Sequence, residues 1–257
     1  VAEIEIRQIP CLSDNYGYLL HVPGAGLTAA IDTPDAAAID AALEREGWRL
    51  THILNTHWHP DHAGGNLALK SRWKATIIGP RAEAAKIPGL DQPVGEGDVV
   101  WLGDVALQVF DVPGHTAGHI AYWLKEAGVL FVGDTLFALG CGRLFEGTPA
   151  QMWTSLEKLM ALPDSTTVYC AHEYTQSNAR FALTVEPGNT ALVERAAEID
   201  RLRAAGKPTV PSNLGLEKRT NPFLRAKSPQ IREALKLVAA DDVTVFAEIR
   251  RRKDAFR

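Results

Sequence analysis

The chain has 257 residues, of which 46% are hydrophobic and 23% charged, with a formal net charge of −4 and a sequence pI near 6.1. That composition excludes a disordered chain and suits a large core with a second small domain, while the acidic balance argues against nucleic-acid binding, which leaves a basic footprint. No run reaches the roughly 18 apolar residues of a membrane span, and "VAEIEIRQIP" lacks the layout of a secretory signal, so the expected place is the cytoplasm and the expected partner a small molecule, with no membrane partner.

In chain order, strand-like segments are "EIEIRQI", "YGYLLHV", "LTAAIDT", "THILNT", "ATIIGP", "DVALQVFDV", "HIAYWL" and "GVLFVGD". Helical spacing enters at 35–46 and 65–73, and again at 148–162, where Thr148 is a natural N-cap and Pro149 the first helical residue. Up to His172 the chain therefore reads as mixed α/β. Beyond it the spacing predicts helices over "NTALVERAAEIDRLRAAGK", "SPQIREALKLVAA" and "DVTVFAEIRRRKDAF", interrupted by a Pro-containing loop from Pro208 to Pro222. Cys11, Cys141 and Cys170 are odd in number and form no C-x-x-C, which predicts reduced thiols rather than a disulfide framework or a thiolate zinc site.

The densest chemistry lies in "THWHPDHAGG". In an extended chain alternate side chains share a face, so His57, His59 and Asp61 are expected to project one way while His62 turns aside. One ion does not easily take all four; two neighbouring ions do, His57 with His59 on one and Asp61 with His62 on the other. Gly64 and Gly65 let the backbone turn closely beneath them. Further ligands are expected at strand ends: His115 in "DVPGHTAGH", Asp134 closing "GVLFVGD", and His172 after "TTVYC". Taken singly, each is as easily a solvated histidine or a turn aspartate. Beside the histidine cluster they complete a set of seven. His21, His52 and His119 lie within or beside strands and are read as structural.

The H-x-H-x-D-H cluster, "PGHTAGH", "GDTLF" and "AHEYT", in this order, resemble the metallo-β-lactamase superfamily and, within it, the glyoxalase II (hydroxyacylglutathione hydrolase) family. The resemblance runs from "LSDNYGYLL" through "CGRLFEG" and "NPFLR" to "RRRKDAF". It implies an αββα sandwich of two mixed β-sheets flanked by helices over residues 1–172, and a small all-helical glutathione-binding domain over 173–257. It also implies that His57, His59 and His115 hold one ion, that Asp61, His62 and His172 hold another, and that Asp134 bridges them. Nitrogen and oxygen donors suit zinc, iron and manganese alike; zinc is the first choice, two ions per chain.

The implied reaction is hydrolysis of S-(2-hydroxyacyl)glutathione thioesters, S-D-lactoylglutathione to D-lactate and glutathione, the second step of methylglyoxal detoxification, by a chain acting as a monomer. A hydroxide between the ions attacks the thioester carbonyl, Asp61 and Asp134 being the carboxylates at the reacting centre. By the same resemblance Arg143, Tyr174, Arg250 and Lys253 bind the glutathione part. Arg250 and Lys253 share a helix face, although cations near a helix carboxyl end are favoured by the macrodipole in any case. Animal members of the family carry Lys and Tyr where this chain has Arg143 and Phe145, so the cation is kept and a phenol lost. The alternatives are a glutathione persulfide dioxygenase of the same superfamily, with one iron, and a non-catalytic binding protein with a relic metal site.

Overall fold

The computed structural model describes residues 3–256; residues 1, 2 and 257, at the outer ends of the two expected domains, lie outside the described residues. The chain divides into two compact units, Val1–Asp111 with Ala117–Gly133 and Val112–Thr116 with Asp134–Arg257.

The first unit opens with β1 (Glu5–Cys11), β2 (Asn15–Val22) and β3 (Leu27–Ile31), continues through α1 (Ala36–Glu46), β4 (His52–Leu54), the single turn α2 (Pro60–Ala63) and α3 (Asn66–Trp73), and reaches β5 (Thr76–Pro80) and β6 (Gln92–Val94). The first three strands pair antiparallel and the remaining pairings, β3 to β6, are parallel, giving a mixed sheet in chain order. A parallel neighbour needs a crossover, which α1 and α3 supply. Their apolar stripes, Ile39, Ala42, Leu43 and Leu69, cover alternate strand residues such as Ile9, Leu19, Ala30, Ile53 and Ile77. The other parity faces a second group of strands, β7 (Val99–Leu102), β8 (Val105–Asp111), β9 (Ile120–Leu124) and β10 (Val129–Gly133), which pair antiparallel in sequence. Tyr18 of β2 meets Phe131 of β10 with ring centroids 5.5 Å apart. Every residue of β9 and β10 is buried, which explains why "IAYWL" and "VLFVG" read as continuous apolar runs rather than alternating ones.

The second unit contains a hairpin of β11 (Leu136–Phe137) and β12 (Gly140–Cys141), then α4 (Pro149–Met160), β13 (Thr167–Cys170), α5 (Thr175–Val185), α6 (Thr190–Ala204), β14 (Ser212–Asn213), α7 (Leu214–Thr220), α8 (Pro229–Leu235) and α9 (Asp242–Ala255). Leu139, Ala179, Ala182, Leu192, Ala196 and Ile199 form one of its apolar clusters. Three elements correct the sequence reading. The segment from Pro208 to Pro222 is not a loop throughout, since it holds β14, paired with β13, and α7, capped by the Asn213 side chain on Leu216 N. Helix α5 was not expected because no side chain caps its start and polar residues fill its first turn. No helix among the described residues is long and apolar enough to cross a membrane.

Helix α4 begins as the sequence predicts. Thr148 accepts from Gln151 N, the Gln151 side chain accepts from Thr148 N, and Pro149 takes a position whose N–H has no helical partner. Thr148→Ala is expected to lower stability by about 1 kcal/mol and Tm by roughly 2–4 °C, while Thr148→Asp, which keeps an acceptor, stays near wild type; thermal melts of the two variants decide it.

Candidate metal centre

The histidine cluster of the first unit follows β4, but not as an extended strand. The strand ends at Leu54, and Pro60 starts α2, so Asp61 and His62 sit on a helical turn and the alternation expected from sequence stops at His59. What orders the segment is Asp32. Just past β3, it takes a φ of 57°, a conformation that Asp tolerates better than most residues. Its Oδ1 accepts from Thr56 N at 2.8 Å, and its Oδ2 accepts from Thr56 Oγ1 and from His62 Nδ1, each at 2.8 Å.

These bonds settle which ring nitrogens carry lone pairs. His62 Nδ1 donates to a carboxylate, so its Nε2 is the basic nitrogen. Thr56 spends its single proton on Asp32, so its oxygen accepts from His57 Nδ1 at 3.0 Å, and the basic nitrogen of His57 is likewise Nε2, 3.0 Å from His59 Nδ1. One aspartate thus orients two imidazoles, one directly and one through a hydroxyl. Asn15 Nδ2 donates to Asp61 Oδ2 at 3.0 Å and to Asp61 O at 3.1 Å, which fixes the remaining carboxylate. Around them Glu83 accepts from Trp58 N and Gly118 N, and Asn55 Nδ2 donates to His62 O. Gly65 is needed for close approach, because a Cβ there would lie 2.8 Å from Thr33 O. His119 stacks on His57, centroids 4.6 Å apart, as a packing partner.

In the second unit His115, Asp134 and His172 are all buried, with Asp134 only 6% exposed. His115 Nδ1 donates to Arg143 O at 2.9 Å, which leaves Nε2 basic and 3.2 Å from Asp134 Oδ2. His172 Nε2 lies 3.3 Å from Asp134 Oδ1. The carboxylate therefore divides its two oxygens between two imidazoles, and the His115 contact sets a ring lone pair against a carboxylate oxygen. Two such atoms repel at that distance unless a cation, a proton or a metal ion, lies between them. The donor set fits divalent metal ions: basic nitrogens fixed by hydrogen bonds behind them, and carboxylates to balance charge.

The residues expected to bind glutathione fall in the second unit. Tyr174 is 38% exposed and stacks on His172, rings 4.6 Å apart and 3° from parallel. Arg143 is exposed, and Phe145, 63% exposed, sets its ring edge against His115. Arg250 is 5% exposed; its Nη1 donates to Cys141 O at 2.8 Å and its other side pairs with Asp254. Lys253 donates to Ser177 Oγ at 3.3 Å, and burial, with Arg250 and Arg143 nearby, lowers its pKa from the usual lysine range. Asp32 is what sequence reasoning missed. The signal was available, since "LTAAID" ends an apolar strand on an aspartate as "GVLFVGD" does.

A model of the metallo-β-lactamase superfamily matches residues 25–172, and a model of the hydroxyacylglutathione hydrolase C-terminus matches residues 173–256. The chain is 59% identical to a hydroxyacylglutathione hydrolase of Brucella anthropi, over 98% of this chain and 97% of that one. It is 57% identical to a hydroxyacylglutathione hydrolase of Methylococcus capsulatus over 99% of each. The crystal structure of ETHE1 from Myxococcus xanthus is similar with a TM-score of 0.67 at 27% identity, covering 98% of this chain and 100% of that one.

If Asp32 orients His57 and His62 for a metal ion, Asp32→Asn, which keeps an acceptor for Thr56 N but places an amide against the His62 Nδ1 proton, should weaken metal binding by about 10- to 100-fold. Chelator competition measures this; unchanged affinity in a folded variant would show that Asp32 serves packing only.

Proposed function

The chain belongs to the hydroxyacylglutathione hydrolase family of the metallo-β-lactamase superfamily, and from that premise we propose that it hydrolyses S-(2-hydroxyacyl)glutathione thioesters, S-D-lactoylglutathione above all, to the 2-hydroxy acid and glutathione. It is a metal-dependent hydrolase with the α/β metallo-β-lactamase fold and a helical carboxyl-terminal part. The observation that carries the reading is the Asp134 carboxylate, shared between His115 and His172.

In this reading His57, His59 and His115 would hold one ion and Asp61, His62 and His172 a second, with Asp134 as the carboxylate that would serve both and zinc as the expected metal. Divalent ions there would supply Lewis acidity to the thioester carbonyl and would lower the pKa of a coordinated water from 15.7 to about 7. The protein's part is placement. Asp32 and Arg143 O hold the imidazoles in the tautomer that turns basic nitrogens inward, so no reorientation is needed when substrate arrives. Residues 1–172 carry this chemistry, and residues 173–257 supply Tyr174, Arg250 and Lys253, which with Arg143 bind the glutathione part. Lys253 and Arg143 offer charge to the peptide's carboxylates, and Arg250, itself held by Asp254 and Cys141 O, adds its charge near them.

Thiolate is a good leaving group, so no strong proton donor is required at the sulfur. Burial pushes the Cys141 thiol up to about 11 and the Cys170 thiol up to about 12, so both stay protonated at neutral pH and neither competes with water as a nucleophile. The reading places the enzyme in the cytoplasm as a monomer acting on a small molecule.

Loss of S-lactoylglutathione absorbance, with metal analysis of the same sample, tests the proposal. Turnover with two ions per chain is expected. One iron per chain and no thioesterase activity would favour the persulfide dioxygenase alternative, and neither metal nor turnover a relic site.

Lys253 generates a separate expectation. A charge-assisted hydrogen bond contributes about 1.5–3 kcal/mol, so Lys253→Ala should raise KM roughly 10- to 150-fold and leave kcat nearly unchanged, because the contact is remote from the thioester. The lowered pKa adds a pH dependence. Binding that needs the ammonium is complete below that pKa and is lost as pH rises through it, at a lower pH than for an ordinary lysine. KM of the wild type should therefore climb on the alkaline side and that of Lys253→Ala should not; equal profiles would remove Lys253 from the binding site.

A further inference from the structure

The hairpin β11–β12 occupies the short stretch between Asp134 and Arg143, and its conformation fixes where both begin. It cannot hold itself, having only the two pairs Leu136↔Cys141 and Phe137↔Gly140 and a tip residue, Leu139, at φ 58°. Three side chains from the helical part hold it instead. Asn221 Nδ2 donates to Phe137 O at 3.1 Å and to Gly140 O at 3.0 Å. Asn178 Nδ2 donates to Ala138 O at 3.1 Å, and Glu217 Oε2 accepts from Leu139 N at 2.9 Å. All four residues of the tip are thus tied by a buried side chain.

The ties are themselves constrained. Asn221 Oδ1 accepts from Phe223 N at 3.0 Å, which forces its NH₂ toward the hairpin carbonyls. Glu217 is fully buried and pairs with Arg195, whose guanidinium also donates to Thr220 Oγ1 at 2.7 Å and Ser212 Oγ at 3.0 Å. A buried ion pair of this kind often stabilises a fold no better than apolar residues of equal size. What it does provide is geometry. The hairpin in turn closes onto Asp134, for Gly142 N donates to Thr135 O at 3.2 Å and a Cβ on Gly142 would lie 1.9 Å from Asp134 O. On its way it sets the Phe137 ring edge against His172 and Tyr174.

We infer that Asn178, Glu217 and Asn221 are positioning residues that act through the β11–β12 hairpin, setting Asp134 on one side of it for metal and Arg143 on the other for substrate. This rests on the function proposed above for Asp134 and Arg143. The latch therefore bears on metal retention and KM together, two properties that loss of fold does not change in the same way. An unfolded fraction lowers apparent kcat and total metal, but leaves the KM and the metal off-rate of the folded molecules untouched.

The test uses Asn221→Asp, which keeps the shape, removes both donors and sets a carboxylate oxygen against Glu217 Oε2, and Asn178→Ala, which frees only Ala138 O and leaves the Glu217–Arg195 pair intact. Each is purified metal-loaded beside Thr148→Ala, a stability change that removes none of the latch hydrogen bonds. The expected result for Asn221→Asp is a loss of kcat/KM of roughly 10- to 100-fold, with a raised KM and faster metal release to chelator. Asn178→Ala should show the same pattern more weakly, and Thr148→Ala wild-type KM and release. If Asn221→Asp does not fold, Asn178→Ala carries the test. Wild-type KM and wild-type metal release in the folded latch variants, whatever their Tm, overturn the inference. Absence of thioesterase activity in the wild type would defeat the functional reading instead, and the metal-release arm still decides the latch.

Discussion

A carboxylate buried to 6% exposure, with each oxygen facing a different imidazole nitrogen, is a costly arrangement for any chain to keep. His115 gives its Nδ1 proton to Arg143 O, so its contact with Asp134 sets a ring lone pair against a carboxylate oxygen unless the ring gains a second proton. Positive charge beside Asp134 would relieve that contact. Two glycines let the backbone pass close in this region. Gly114 adopts a φ of 152°, where a Cβ would collide with Met152, and Gly142 passes so close to Asp134 O that only glycine fits.

The first unit reaches its arrangement by a different route. Its donors are consecutive rather than gathered from separate strand ends, and their orientation comes from Asp32 through one direct bond and one relay across Thr56. A hydroxyl has a single proton, so once Thr56 gives it to Asp32 the direction of the next bond is determined. The tautomers of His57 and His62 are thereby set by a residue that is not itself among the seven donors.

Legibility in the sequence followed how local each signal was. The seven candidate donors could be picked out because H-x-H-x-D-H crowds four of them into a short span and the other three close apolar strands or follow a glycine. Helix α4 could be placed because Thr148, Pro149 and Gln151 make a cap that depends on neighbours alone. The alternation assumed for Asp61 failed because Pro60 turns the chain into a helix, which strand spacing does not register. Helix α7 was hidden between Pro211 and Pro222, and Glu217 in "GLEKRT" looks like any solvated helix charge until Arg195 and Leu139, distant in sequence, close around it. Tertiary pairing of this kind leaves no trace in composition or period.

The three buried thiols carry a consequence for the surroundings in which such an enzyme works. Cys11, Cys141 and Cys170 are all held protonated, pushed up by burial to about 11, about 11 and about 12. At neutral pH less than about one molecule in a thousand of each exists as thiolate, the form that attacks disulfides and electrophilic carbonyls. The thiol product of such a hydrolysis oxidises to a disulfide, and a protein that meets that disulfide exchanges with it through a thiolate. Sequestered in this way, its own sulfurs escape glutathionylation and carbonyl adducts, so exposure to oxidants need not inactivate it through its cysteines.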